Sequence, residues 1–444
     1  MAAGCAVGPD YAAPDPGAIP EAFPAAVAGS APPAAAAGAS WYGGFGDPAL
    51  SEILAIAATN SLDVMQVLKR VESSRAALAG ARAEYWPNVG FSASTSRGRR
   101  YNPDSSSESS SARFDASWEL DVFGKVRRSV EAARAELEAA EFTAEDAMVS
   151  LFAEIAAEYV NLRLQDEVCA ITEANIGITE EFAKIAKSKF DAGMAPELDW
   201  LSAQSQLDST RAALETAKAA KSSCRRRLEL LASVGPHAFD ALLDATEPSL
   251  PAAPQNPVAV PSDLLRRRPD VRRAERAYAA ALARIGVAKA SYYPSVSIGA
   301  GFSMSTDSFA SWGDAVRSVS LGPSLSWSIL DFGRRGARLS QARIAAEEAA
   351  LAYRSAVLAA FHEVEGCAIA IDREAARETF FQNALRNQEK AADLATRMYR
   401  DDLGEYRDVL SAQQSLLSQR RSLAELRANR ILAGISLCKA TGVR

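Results

Sequence analysis

The chain aligns with itself. Asp63-Val64 matches Asp270-Val271, and Tyr85-Trp86-Pro87 matches Tyr292-Tyr293-Pro294, both 207 residues apart. Trp118-x4-Phe123-Gly124-Lys125 matches Trp327-x4-Phe332-Gly333-Arg334, and Leu201-Ser202-Ala203-Gln204 matches Leu410-Ser411-Ala412-Gln413, both 209 apart. A register held over so long a span marks a tandem duplication. The fold must therefore be assembled from two copies of one unit, residues 41–235 and 263–444. Each copy reads helix, hairpin (about 88–122 and 295–331), long helix, sharp turn, helix, the long helices covering about 124–233 and 333–441. Residues 1–40, rich in Pro, Ala and Gly, read as an extended linker. Pro248, Pro251, Pro254, Pro257 and Pro261 make 236–262 a second extended stretch.

Proline spacing sets the helices. None lies between Pro103 and Pro196 or after Pro323, so nothing breaks a helix there. Val126, Val130, Ala133, Leu137, Ala140, Ala144, Ala147 and Leu151 recur in the four-three rhythm of a helix–helix seam. Leu403, Leu410, Leu417, Ala424 and Ile431 recur at sevens on the returning helix. Gly124 to Gly193 and Gly333 to Asp402 each span 69 residues, roughly 100 Å of helix.

The hairpins alternate with period two. Phe114, Ala116, Trp118, Leu120 and Val122 interleave with Asp115, Ser117, Glu119 and Asp121. Residues 89–96, 295–304 and 319–329 interleave apolar side chains with Ser and Gly in the same way. Such stretches are strands with one apolar and one polar face, long enough to cross a bilayer when tilted. Trp118, Leu120, Trp327 and Ile329 are expected to face lipid, with Leu120 near mid-bilayer. Asp115, Glu119, Asp121 and Ser326 are expected to face water. Residues 97–111 and 305–318 are expected as polar loops at the hairpin tips. Four strands cannot close around water, and an open edge in lipid is forbidden, so the barrel is expected to be shared between chains. The alternative is a soluble sandwich packed on the helices.

Composition excludes much else. Net charge is −6, from 49 basic and 55 acidic residues, which argues against a nucleic-acid partner. The histidines are His237 and His362 alone, and no C-x-x-C pair occurs, so His-based metal sites, zinc ribbons and thioredoxin chemistry find no support. No phosphate loop, H-E-x-x-H or G-x-S-x-G is present. We read no catalytic, cofactor or metal constellation. Arg225–Arg227 and Arg266–Arg268 read as solvated basic faces.

The stretches Leu264-Leu265-Arg266-Arg267-Arg268-Pro269-Asp270-Val271, Arg284-Ile285-Gly286-Val287-Ala288-Lys289-Ala290 and Tyr293-Pro294-Ser295-Val296-Ser297 resemble the signature of TolC-like outer membrane factors, the NodT-type outer-membrane efflux lipoproteins of tripartite pumps. Trp41-Tyr42-x-x-Phe45-x-Asp47-Pro48-x-Leu50 resembles their opening motif. The resemblance runs from about Cys5 to Val443. It implies an α+β membrane protein. Three chains would share a twelve-stranded outer-membrane β-barrel, four strands each, continued by a long periplasmic α-helical barrel. The function implied is an exit duct for small molecules in antibiotic-resistance-type efflux; a metal-ion efflux or type I secretion channel, or a surface helical scaffold or adhesin, are the alternatives. Implied partners are a periplasmic adaptor (membrane fusion) protein, an inner-membrane transporter of the RND type and outer-membrane lipid. Ala2-Ala3-Gly4-Cys5 looks like the end of a lipobox, with Cys5 acylated and palmitoylated. By the same resemblance Asp199, Tyr399 and Asp408 form a periplasmic gate. Gly193, Met194, Asp402 and Leu403 are the adaptor-contacting tips. Ser411 departs from the family, where many relatives carry a second Asp.

Each copy also holds two cysteines placed almost symmetrically about its tip: Cys169 and Cys224, then Cys367 and Cys438. Antiparallel helices would bring such residues to one height, so intra-repeat disulfides Cys169–Cys224 and Cys367–Cys438 are expected in an oxidising compartment.

Overall fold

The structure is a computed structural model and describes residues 6–14, 44–251, 268–307, 312–401 and 403–442. In chain order its elements are α1 (Pro48–Asn60), α2 (Leu62–Ala83), β1 (Asn88–Tyr101), β2 (Asp104–Leu120), α3 (Lys125–Asp191), α4 (Glu197–Leu231), α5 (Asp240–Asp244), α6 (Pro269–Ala290), β3 (Ser295–Thr306), β4 (Val316–Ser326), α7 (Arg334–Arg400) and α8 (Tyr406–Thr441). The two longest helices, α3 and α7, have 67 residues each. No helix among the described residues is long and apolar enough to cross a membrane. The chain forms two compact units, each drawing on both sequence copies: Met1–Gly17, Val67–Thr143 and Asp270–Ala356 make one; Ala18–Gln66, Ala144–Pro269 and Val357–Arg444 make the other.

The first unit carries an antiparallel sheet in the order β1-β2-β3-β4. Its register gathers the apolar residues into rows on one face. Val89–Ala116–Ala300–Leu321 is one row and Phe91–Phe114–Phe302–Val319 the next. Toward the helices follow Trp118–Ile298–Pro323 and Leu120–Val296–Leu325. Leu120 therefore stands at the end of the apolar band and not at its middle. The β1–β2 ladder runs on to Tyr101↔Asp104. Residues 97–101 and 104–111 are thus paired strand rather than the expected loop, with only Asn102-Pro103 left as the turn. Backbone pairing tolerates a polar sequence, and Arg97–Glu108 and Arg99–Asp104 ion pairs (2.9 Å each) reinforce it.

Two tryptophans clamp the sheet's lower end. The Trp118 indole donates to the Tyr85 carbonyl (2.9 Å) and Trp327 to that of Tyr292 (3.1 Å). Trp327 and Ile329 lie beyond the end of β4. Asp121 does not line the sheet: its carboxylate accepts from the Val126 and Arg127 amides and so caps α3. Asp331 does the same for α7 through the Gly333 and Arg335 amides. A carboxylate there satisfies amides that lack helical partners.

Residues 6–14 lie along α3 and α6 of this unit. Val7 donates to Phe123 O (3.2 Å). Gly8 has φ +118°, and a Cβ on it would meet Gly286 Cα at 2.6 Å. Buried Arg128 pairs with Asp10 (2.6 Å), and Arg276 donates to Tyr11 Oη (2.9 Å). This explains the glycine in Arg284-Ile285-Gly286-Val287: only a missing side chain lets the backbone pass.

The second unit is cored by Phe45, Leu50, Ile53 and Leu54 packed with Ile155, Tyr159 and Leu162 of α3, Leu228 of α4 and Ile431 of α8. Asp47 organises that core. One oxygen accepts from the Ala49 and Leu50 amides, capping α1, and the other accepts from Tyr159 Oη (2.5 Å). Tyr159 Oη accepts in turn from Arg163, which is 1% exposed and pairs with Asp166 (3.1 Å). Lys221 closes the network on Asp166 (2.6 Å). A buried guanidinium is tolerated because its donors are met. The basic runs are also not plain solvated faces. Arg268 is buried, donating to Ala440 O (2.6 Å) at the end of α8 and to Glu363 (2.8 Å). Arg225 and Arg226 bind Asp244 and Asp240.

Candidate functional site

Two surfaces carry the residues singled out by sequence. The first is the polar face of the sheet. Asp115, Ser117 and Glu119 stand there, with Ser303–Ser318 (3.2 Å) and Ser297–Ser324 (2.7 Å) hydroxyl pairs across the strands. Glu119 is met by Lys125 (3.0 Å). Among the described residues neither sheet edge, β1 or β4, has a further strand neighbour.

The second is the turn end of the long helices, in the other unit. α3 ends with Gly193 at φ +72° and the Met194 amide bonded to Lys189 O (2.8 Å). That is the stop glycine provides, since the left-handed conformation closes the last carbonyls. The Leu403 amide bonds Met398 O (2.8 Å) in the same way at the end of α7. Met194 and Leu403 are 64% and 73% exposed, with Leu198 and Leu201 also exposed beside Met194 along the chain. Asp402 and Cys5 lie outside the described residues.

Tyr399 is buried in a cluster with Phe182, Ala186, Leu207, Tyr406 and Val409. Its ring lies 5.6 Å from that of Tyr406. Lys189 Nζ sits 4.2 Å from the Tyr399 ring and donates to its carbonyl (2.7 Å). Burial pushes the Tyr406 hydroxyl up to about 12, with Tyr399 and the Asp199 carboxylate adding to the shift. Asp199 is thus brought close to Tyr406, while Asp408 is exposed in the first turn of α8. Sequence reasoning missed the bonds that tie the two copies together here: Lys189 to Tyr399, Arg400 to Glu181 (2.5 Å), and Gln414 to Gln206 (2.8 Å). None of these pairs occupies equivalent positions in the two copies, so the repeat could not announce them.

The expected disulfides are absent: Cys169, Cys224, Cys367 and Cys438 are free thiols. Cys169 packs on Leu214 and Ala217, whereas Cys224 sits beside Glu158, in the other cluster. Ala217 and Cys224 are two helical turns apart, roughly 10 Å, too far for a bridge. Among the described residues no group of three or more acidic, His or Cys side chains is placed to hold a metal.

Comparison with known proteins places this architecture. The family described as "Outer membrane efflux protein" matches residues 53–233 and 260–443, one stretch in each sequence copy. Nodulation protein T of Rhizobium leguminosarum bv. viciae is 31% identical over 408 residues, covering 89% of this chain and 82% of that protein. The solvent efflux pump outer membrane protein SrpC of Pseudomonas putida is 30% identical over 415 residues, covering 90% and 86%. The solved outer-membrane channel OprN superposes with a TM-score of 0.89 at 29% identity, over 99% of both chains. CusC superposes at 0.85 over 99% of this chain and 100% of its own, at 23% identity, a likeness of fold. The chain belongs to the outer membrane efflux protein family, the TolC-like outer membrane factors.

Proposed function

We propose that the protein is the outer-membrane exit duct of a tripartite efflux system, conducting small organic molecules passively and doing no covalent chemistry. The observation that carries this is the sheet, with one continuous apolar face, one hydroxyl-rich face and two edges that no other strand among the described residues pairs. In lipid those edges must be paired by other copies. Three copies give a closed barrel of twelve strands whose polar face lines water. The exposed Met194, Leu198, Leu201 and Leu403 suit docking by a periplasmic adaptor, which would couple the duct to an inner-membrane transporter of the RND type. Asp199, Tyr399 and Asp408 form the gate at that end, three copies of each carboxylate disfavouring anions. Cys5 carries the lipid anchor in the outer membrane. Ala6 beside it packs against Gly124 at the strand–helix junction, where a Cβ on that glycine would meet Ala6 Cα at 2.7 Å.

Reconstitution into planar bilayers tests the reading. The expected result is a trimer that forms pores, with cation block weakened by Asp199→Ala plus Asp408→Ala. Monomeric protein without pore activity refutes the duct. Normal pores with unchanged cation block remove the gate assignment alone.

A further inference from the structure

On the sheet's polar face, four rows cross all four strands, and serine or glycine fills every position but Asn88, Val316, Arg113 and Asp115. Arg113 stands in the row Ser92–Arg113–Ser303–Ser318 and Asp115 in the row Gly90–Asp115–Gly301–Ser320. The two side chains are joined, Arg113 Nε donating to an Asp115 carboxylate oxygen. The Arg113 guanidinium reaches over this second row: a Cβ on Gly301 would lie 3.9 Å from Arg113 Nη2, an ordinary contact, and 3.0 Å from Ser320 Oγ. Two rows beyond Asp115 toward the helices, Glu119 is the next charge on this face, and Lys125 neutralises it.

The Arg113 and Asp115 side chains remain 60% and 44% exposed. A pair so wet contributes next to nothing to stability, so stability does not account for it. What it does is cancel charge within four rows that carry no other charged side chain. We propose that Arg113 and Asp115 set the charge of the duct's inner wall. Together they hold the middle of the β-barrel lumen electrically neutral, so that the exit passes anionic, cationic and neutral cargo alike and leaves discrimination to other parts of the pump. The inference rests on the polar face lining the lumen. In a trimer, loss of either partner leaves three like charges in a ring, the arrangement by which pores select ions.

The local potential is read with paired thiol reagents, which bypass the helical gate because they report at one position. Ser303→Cys, in Arg113's row, is reacted from outside with an anionic and a cationic methanethiosulfonate at low salt, the parent chain supplying the background from native thiols. The expected anionic-to-cationic rate ratio, normalised to a free thiol, is near one in the Ser303→Cys chain. Adding Asp115→Asn raises it about fivefold, a size set by three unit charges across a few ångströms of water with partial screening. Adding Arg113→Gln lowers it similarly, and the double Arg113→Gln plus Asp115→Asn restores parity. A reactive Ser303→Cys whose ratio moves in neither single variant overturns the proposal while leaving the duct intact. A Ser303→Cys inert to both reagents, beside a reactive Leu321→Cys, overturns the lumen assignment and the duct reading with it.

Discussion

Placing one arginine at successive positions of β4 reads both the face and the depth of the sheet. Arg317 and Leu325 bound the apolar rows of this strand. The eight steps between them span roughly 27 Å at about 3.4 Å per residue, or about 20 Å of height at a tilt of about 40°. Leu321 is their midpoint and is 78% exposed in the single chain. Leu321→Arg should therefore cost about 2–4 kcal/mol, the penalty for arginine near the bilayer midplane. Leu325→Arg, at the rim, should cost about 0–1 kcal/mol. The native Arg317 already sits at the other rim. Ser320→Arg, one residue away on the opposite face, keeps its charge in water and should also cost at most about 1 kcal/mol. Urea titration of the protein folded into lipid vesicles, followed by tryptophan fluorescence, measures each. A Ser320→Arg penalty equal to that of Leu321→Arg would refute the two-faced sheet. A Leu325→Arg penalty exceeding that of Leu321→Arg would refute the depth assignment.

Tyr159→Phe removes the hydroxyl shared by Asp47 and Arg163 and should cost about 1–3 kcal/mol of stability through the buried groups left behind, read from thermal melting in detergent; an unchanged midpoint would sink the network's structural role. Gly286→Leu puts a Cβ 2.7 Å from Arg128 Cγ and 3.0 Å from Val7 O, so it should release residues 6–14 and speed their proteolysis, whereas Gly299→Ala, with open space around it, should not. Peptide mapping without reductant should return four free thiols. Burial pushes Cys224 and Cys438 up to about 12, so near pH 8 both stay protonated and should alkylate far more slowly in the folded protein than after unfolding. Tyr406, also pushed up to about 12 by burial, favours the fold while it is neutral. Its contribution is whole below the unfolded value near 10 and falls away as pH rises from there toward about 12, which a pH series of melting temperatures would show.

Period and repetition were legible in the chain because they are local. The duplication, the proline-free helices and the alternation of Phe114, Ala116 and Trp118 with Asp115 and Ser117 need no knowledge of what packs where. Alternation settles which residues share a face of a strand. It leaves the end of the strand undecided, and so Asp121 read as a wall residue when it is a helix cap. The serine-rich stretch 97–111 read as a loop because its composition is polar, yet backbone pairing with β1 carries it as strand. Height along a helical hairpin depends on how two helices cross, which spacing alone does not contain, so Cys169 meets Leu214 and Ala217 and not Cys224. The hydrogen bonds from Tyr159 to Asp47, from Arg268 to Ala440 O and from Lys189 to Tyr399 O join residues far apart in the chain. Only folding brings their partners within hydrogen-bond reach, and with that reach comes the decision whether a basic side chain is buried or left in water.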